Sequence, residues 1–350
     1  MNRPQPTNLS ASVHQRLLNL SQAKGDNFNF LLIRYAIERF LYRLSCSAHA
    51  DTFVLKGALL FLVWDVPIHR PTRDIDLLGF EGHTSGQLEQ IFRDICLVDV
   101  VADGLTFDPA TIQVRPIREE QVHGGQRVTL TAYLGRARIP LQIDIGFGDA
   151  VIPAAVTTSY PTLLDFPSPQ IQVYPRESVV AEKLHAMVSL DMSNSRMKDF
   201  FDIWILARLF VFDGTLLVQA FRSTFAERHT PLPQETPTAL LPEFYGNIEK
   251  TAQWQAFVRR SRIDTGGADL AQIVEEIAPF LLPPLQAAAQ GISFSSECRS
   301  ARRERARREP STPGDRWRRS GDRNRGCPAI SQTSFADRAR PVAPLSRAGC

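Results

Sequence analysis

Residues Phe53 to Phe80 read FVLKGALLFLVWDVPIHRPTRDIDLLGF, and the reading of this stretch decides the fold. Residues 52–55 form a short apolar run of strand type. Lys56-Gly57 is a turn signal, and the apolar residues that follow predict a helix to about Asp65. A basic loop, His69-Arg70-Pro71-Thr72-Arg73, leads into a second strand that carries Asp74-Ile75-Asp76. Side chains alternate along a strand, so Asp74 and Asp76 share one face, about 6.6–7 Å apart. Two carboxylates on one face of an apolar strand repel each other and are costly to desolvate. A divalent cation relieves both costs, and Mg²⁺ takes hard oxygen ligands while leaving positions open for phosphate. A solvated strand edge can also carry such a pair. The glycine turn just before it makes the pattern more specific. Glycine lets the backbone approach a phosphate, and the helix that follows aims free N–H groups there.

A third acid extends the pattern. Arg127–Leu134 and Ile139–Phe147 read as two strands after a first at 111–117, with turn signals at His123-Gly124-Gly125 and Gly135-Arg136. In the last, Asp144 stands between Ile143 and Ile145. A single acid inside an apolar strand needs a partner, either an arginine or a metal shared with Asp74 and Asp76. Asp149, past the glycines, reads as a turn or cap residue.

Around this core the chain is ordinary in composition, with 350 residues, 43% hydrophobic and 22% charged. No apolar run approaches the roughly 20 residues of a bilayer span. The N-terminal residues lack a hydrophobic signal core, and five scattered cysteines without a CxxC fit a reducing cytosol rather than a zinc site. Residues 294–350 carry 14 Arg, no Lys and 6 Asp plus Glu, a charge of +8, against +3 for the whole chain; the remainder sums to −5. The basic balance therefore belongs to an Arg/Ser/Pro/Gly-rich tail that reads as disordered, not to the folded part.

The elements order as a lead-in helix over 8–24 within residues 1–27, a sheet-bearing core over 28–174, a helical domain over 175–292, and the tail over 293–350. In the long helix over 27–45, Arg34, Glu38, Arg39 and Arg43 fall on the side expected to be wetter. Residues 153–169 read as a connector, and 171–174 as a strand closing the sheet. Helices follow at about 176–191, 197–211, 215–227, 249–262 and 268–288, where Pro283-Pro284 should kink or end the last. On the first two of these, Lys183 lies at the edge of an apolar stripe and Asp199 and Asp202 lie at i, i+3 on a packed face. They form either a buried ion-pair cluster joining two helices or the charged wall of a cleft facing the acidic strand, in which Lys183 contacts phosphate oxygens.

Six segments together carry a resemblance to a known family. They are ERFLYRLSCS (38–47), FVLKGALLFLVW with RPTRDIDLLGF (53–80), QIDIGFGDAVIP (142–153), YPRESVVAEKLHAMV (174–188), NSRMKDFFDIWILAR (194–208) and, more weakly, WQAFVRR (254–260). The chain resembles the nucleotidyltransferase AbiEii/AbiGii toxin family of type IV toxin–antitoxin and abortive-infection systems, within the DNA polymerase beta-like superfamily. The resemblance implies an α/β fold, a mixed sheet with flanking helices followed by a helical domain. It implies a cytoplasmic, Mg²⁺-dependent enzyme that moves NMP from NTP to an RNA, with tRNA acceptor ends as the expected acceptor and an antitoxin as partner. One or two Mg²⁺ would be held by Asp74, Asp76 and Asp144. Catalytic work would fall to these three with Lys183 and Asp202, and nucleotide binding to Lys56, Gly57, Thr72, Arg73, Lys198 and Asp199. Where the superfamily often has a second glycine or a serine, this chain has Ala58, which removes a side-chain contact to phosphate and keeps the backbone N–H. Arg34, Arg39, Arg70 and Arg73 are the expected basic patch for an RNA backbone. The rival reading is a nucleotide-binding interaction protein without turnover.

Overall fold

The computed structural model describes residues 8–66, 72–80, 82–117 and 124–298. The expectations for Arg70, for the turn at His123 and for the tail beyond Cys298 lie outside these residues. Two helices open the chain, α1 (Leu9–Lys24) and α2 (Phe28–Cys46), capped by the side chains of Asn8 and Asn27. Strand β1 (Phe53–Lys56) enters a single 3₁₀ turn at Gly57–Leu59 and a short helix α3 (Leu60–Val63). Then come β2 (Asp74–Gly79), α4 (Ser85–Leu97), β3 (Leu105–Ile117), β4 (Gly125–Leu134), β5 (Ala137–Phe147), β6 (Val156–Ser159) and β7 (Gln170–Val173). The rest is helical apart from a two-residue strand pair. It comprises α5 (Arg176–Leu190), α6 (Met197–Leu209), β8 (Phe212–Asp213), α7 (Gly214–Glu227), α8 (Pro242–Tyr245), α9 (Ile248–Ser261), α10 (Leu270–Gln290) and β9 (Glu297–Cys298).

The first seven strands form one mixed sheet in the order β3-β4-β5-β2-β1-β7-β6. β2 lies at its centre, antiparallel to β1 and parallel to β5. Ile75, Leu77, Ile143 and Ile145 are fully buried on these strands. Helices α2 and α4 pack on the sheet, where Phe40 and Phe92 stack at 5.8 Å. In the helical half, α5 packs on α7, and α6 and α7 pack on α10.

Four expectations change. Glu38, Arg39 and Arg43 are not on a wet face: all three are buried, Arg39 completely. Asp103 compensates the two arginines, accepting from Arg39 Nε at 3.0 Å and from Arg43 Nη1 at 2.6 Å, while Glu38 accepts from the Leu163 N–H at 2.7 Å and lies 3.5 Å from Arg39 Nη1. Arg39 is thereby removed from the expected RNA-facing patch. The first hairpin strand starts at Leu105 rather than Thr111, because the register shift between Asp108 and Gln113 hides its continuity in the sequence. The presumed connector holds strand β6. Helix α10 runs through Pro279, Pro283 and Pro284 to Gln290, because burial of Ile277, Phe280, Leu281 and Leu285 holds it against the lost backbone bonds.

Candidate active site

The site is built on the ends of β1, β2 and β5. The alternation along β2 buries Ile75 and Leu77 and leaves Asp74 and Asp76 partly exposed on the other face. Asp76 pairs in register with Lys56 across the antiparallel strand and with Asp144 across the parallel one. Facing residues of neighbouring strands point to the same side. Asp74, Asp76, Asp144 and Lys56 therefore project from one face.

Gly57 follows directly, with φ of 75°. A Cβ at this position would collide with the Asp76 carboxylate. Glycine is required here twice, by the backbone conformation and by the acid packed over it. Upstream of β2, Thr72 Oγ1 lies 3.4 Å from the Asp74 N–H, and Arg73 is exposed.

Asp144 has the arginine partner. Arg127, opposite it on β4, donates from Nε and Nη2 to the two carboxylate oxygens, both at 2.8 Å. Gln142 Nε2 adds a 3.3 Å contact. Among the described residues no three His, Cys, Asp or Glu side chains converge closely enough to enclose a metal ion. The donor chemistry still suits Mg²⁺, which binds through one or two carboxylates and completes its shell with water and substrate phosphate rather than with a protein cage.

Lys56 does not extend into solvent. Its ammonium donates to Asp149 Oδ2 at 2.6 Å and lies 4.0 Å from Glu182 Oε1. Burial disfavours its charge, but Glu182 and Asp149 outweigh that and raise its pKa. Arg228, just past α7, donates to Asp149 Oδ1 at 2.7 Å. Its other amino group meets His185 Nδ1 at 3.3 Å, and His185 Nε2 lies 2.9 Å from Thr230 Oγ1. Burial, then Arg228, push the His185 pKa down to about 4, so the ring is neutral near pH 7. Asp149 is thus neither a turn nor a cap residue but the centre of a buried ionic group. Glu182 and Arg228 were missed in the sequence, although Glu182 stands next to Lys183.

Lys183 faces the other way. Its ammonium lies 2.9 Å from Asp199 Oδ1 and 2.8 Å from Asp202 Oδ2. Arg196 Nε donates to the second Asp199 oxygen at 2.7 Å. Asp199 and Asp202 are buried, and both are paired with Lys183 across the two helices. Burial pushes the Asp199 pKa up, but Lys183 and Arg196 prevail and bring it down to about 2. Lys198, on the same helix, is partly exposed. Arg176 is not in this cluster; its guanidinium stacks 4.2 Å from the Phe210 ring centroid.

A mixed sheet with acids aligned on its central strands beside a glycine turn, joined to helices bearing a half-buried lysine, defines a mixed α/β protein. The chain belongs to the family described as nucleotidyl transferase AbiEii toxin, type IV TA system, whose model matches residues 39–276. It is therefore a nucleotidyltransferase toxin by family, which implies a nucleotide substrate and an antitoxin partner. No match is found among curated proteins. Among solved structures the chain is similar to JHP933 from Helicobacter pylori, at 13% identity over 72% of this chain and 87% of that one, with a TM-score of 0.39. It is also similar to a candidate nucleotidyltransferase from H. pylori, at 14% identity over 72% and 89%, with a TM-score of 0.38. Among the described residues no helix is long and apolar enough to cross a membrane.

Proposed function

We propose that the protein transfers NMP from an NTP to an RNA acceptor, the acceptor end of a tRNA being the preferred class, and that it acts in the cytoplasm as the toxin of an abortive-infection pair. The observation that carries this reading is the alignment of Asp74, Asp76 and Asp144 on one face beside Gly57. Asp74 and Asp76, with Asp144 as a third donor, would hold one or two Mg²⁺, which supply charge neutralisation for the triphosphate and activation of the attacking hydroxyl. The turn at Gly57, free of a side chain, admits the phosphates close to the backbone. Thr72 fixes the entry of β2, and exposed Arg73 is placed to neutralise phosphate oxygens. Lys183, held by Asp199 and Asp202, presents a fixed positive charge, and Lys198 adds a second on the next helix. The acceptor oxygen bonds to the α-phosphorus as the bond to pyrophosphate breaks.

Incubation of the protein with Mg²⁺, each labelled NTP and total tRNA tests the reading. Labelled RNA is expected from wild type and none from Asp76→Ala. A second reading has its own observation: Arg127 occupies Asp144 and two acids occupy Lys183, which suits nucleotide binding without turnover. NTP binding with no labelled RNA or protein for any base would select it.

A further inference from the structure

Lys56 looks at first like a phosphate ligand, being the last residue before the glycine turn. The structure gives its ammonium a different surrounding. It sits between Asp149 and Glu182, 17% exposed, with Arg228 completing the group from beyond α7. The space for it is made by a second glycine: a Cβ on Gly146 would come 3.0 Å from Lys56 Nζ. Two positive and two acidic groups gather here from β1, the segment after β5, α5 and the end of α7. Adjacent residues of α5 serve two networks, Glu182 toward Lys56 and Lys183 toward Asp199 and Asp202. The Asp76 charge also acts on Lys56, so the group borders the acidic face.

We propose that Lys56 is a positioning residue that fastens the Gly57 turn to helix α5 through Asp149 and Glu182, so that the nucleotide site depends on the helical half for its geometry. This rests on the reading that the Gly57 turn carries the nucleotide. The ionic group acts as a rivet: its charges balance only when the sheet end and the two helices are together. Lys56 then contributes to nucleotide binding through the turn and not by touching phosphate.

The test is hydrogen exchange of amides 57–64, with equilibrium binding of a fluorescent ATP analogue and of a GTP analogue, in wild type, Lys56→Met, Glu182→Gln and the double variant. Each single change is expected to speed exchange at 57–64 about tenfold or more and to weaken analogue binding. The double variant is expected to lose no more than the worse single, since both changes remove one device. The double removes a cation and an anion together, so it reports against wild type even where Lys56→Met fails to fold. The proposal is overturned if Lys56→Met, or the double, weakens binding while exchange at 57–64 stays as in wild type and Glu182→Gln has no effect. That pattern is a direct phosphate contact. A wild type that binds neither analogue refutes the nucleotide reading instead, and the exchange comparison still decides whether Lys56 holds the turn.

Discussion

The Asp76 carboxylate lies directly over the α-carbon of Gly57, in the space any other residue's Cβ would take. The backbone there is left-handed, with φ of 75°. Turn and acid are therefore one unit, and a substitution at either displaces the other. Gly57→Ala is expected to cost about 1–2 kcal/mol from backbone conformation alone. It must also push Asp76 away, and a shift on the order of 1 Å at a reacting centre costs roughly 100-fold in rate. Labelled transfer by Gly57→Ala should fall by that factor or more while urea denaturation shows a modest loss. Activity near wild type would mean that Asp76 does not act from this position.

Arg127 competes with any cation for Asp144. Its side chain is 43% exposed and that of Asp144 22%, so the pair contributes little stability, under about 1 kcal/mol. Arg127→Ala should therefore leave denaturation almost unchanged. If Asp144 is the third metal donor, freeing it should lower the Mg²⁺ concentration for half-maximal transfer by roughly tenfold, equivalent to about 1.4 kcal/mol. An unchanged Mg²⁺ dependence would assign Asp144 to the arginine alone.

These two residues also show what the sequence could convey. The period-two alternation around Asp74 and Asp76 is local, and it correctly placed both on one face. The parallel pairing that sets Asp144 beside Asp76 is non-local, yet its apolar neighbours marked the residue as needing a partner. Arg127 was not legible as that partner because it depends on the register of β4 against β5. The same holds for Glu38, Arg39 and Arg43. Helical periodicity spoke of a wet face, and partners distant in the chain make their burial tolerable, Asp103 for the two arginines and the Leu163 N–H for Glu38. Asp149, Glu182 and Arg228 come together from 149 to 228 in the chain, a span over which no pattern of spacing carries information.

Lys183 stands between two buried acids, which sets what its removal does. Lys183→Met leaves Asp202 without this cation and Asp199 with Arg196 alone among the two. Breaking a buried pair from one side costs about 3–5 kcal/mol. The variant should lose a large share of its stability in urea, and a loss of transfer activity then says nothing about phosphate contact by itself. Lys183→Met combined with Asp202→Asn removes a cation and an anion together and should recover much of the stability. Transfer that returns with stability would make the lysine structural, whereas transfer that stays absent in a stable double variant would give it a role at the triphosphate.

Asp199 makes this cluster sensitive to acid. Its pKa of about 2 in the folded protein lies below the ordinary 3.8. The depressed value means the unfolded chain binds the proton more readily, so stability from this group is complete above about pH 5 and is lost as pH falls toward 2. A shift of this size corresponds to about 2 kcal/mol. Urea denaturation of wild type from pH 6 downward should show that loss. Asp199→Asn should start less stable at pH 6, because Lys183 and Arg196 lose a charged partner, and should decline less steeply below pH 5 by the Asp199 contribution. Parallel pH curves for the two proteins would place the acid sensitivity elsewhere and remove the ion-pair account of this helix junction.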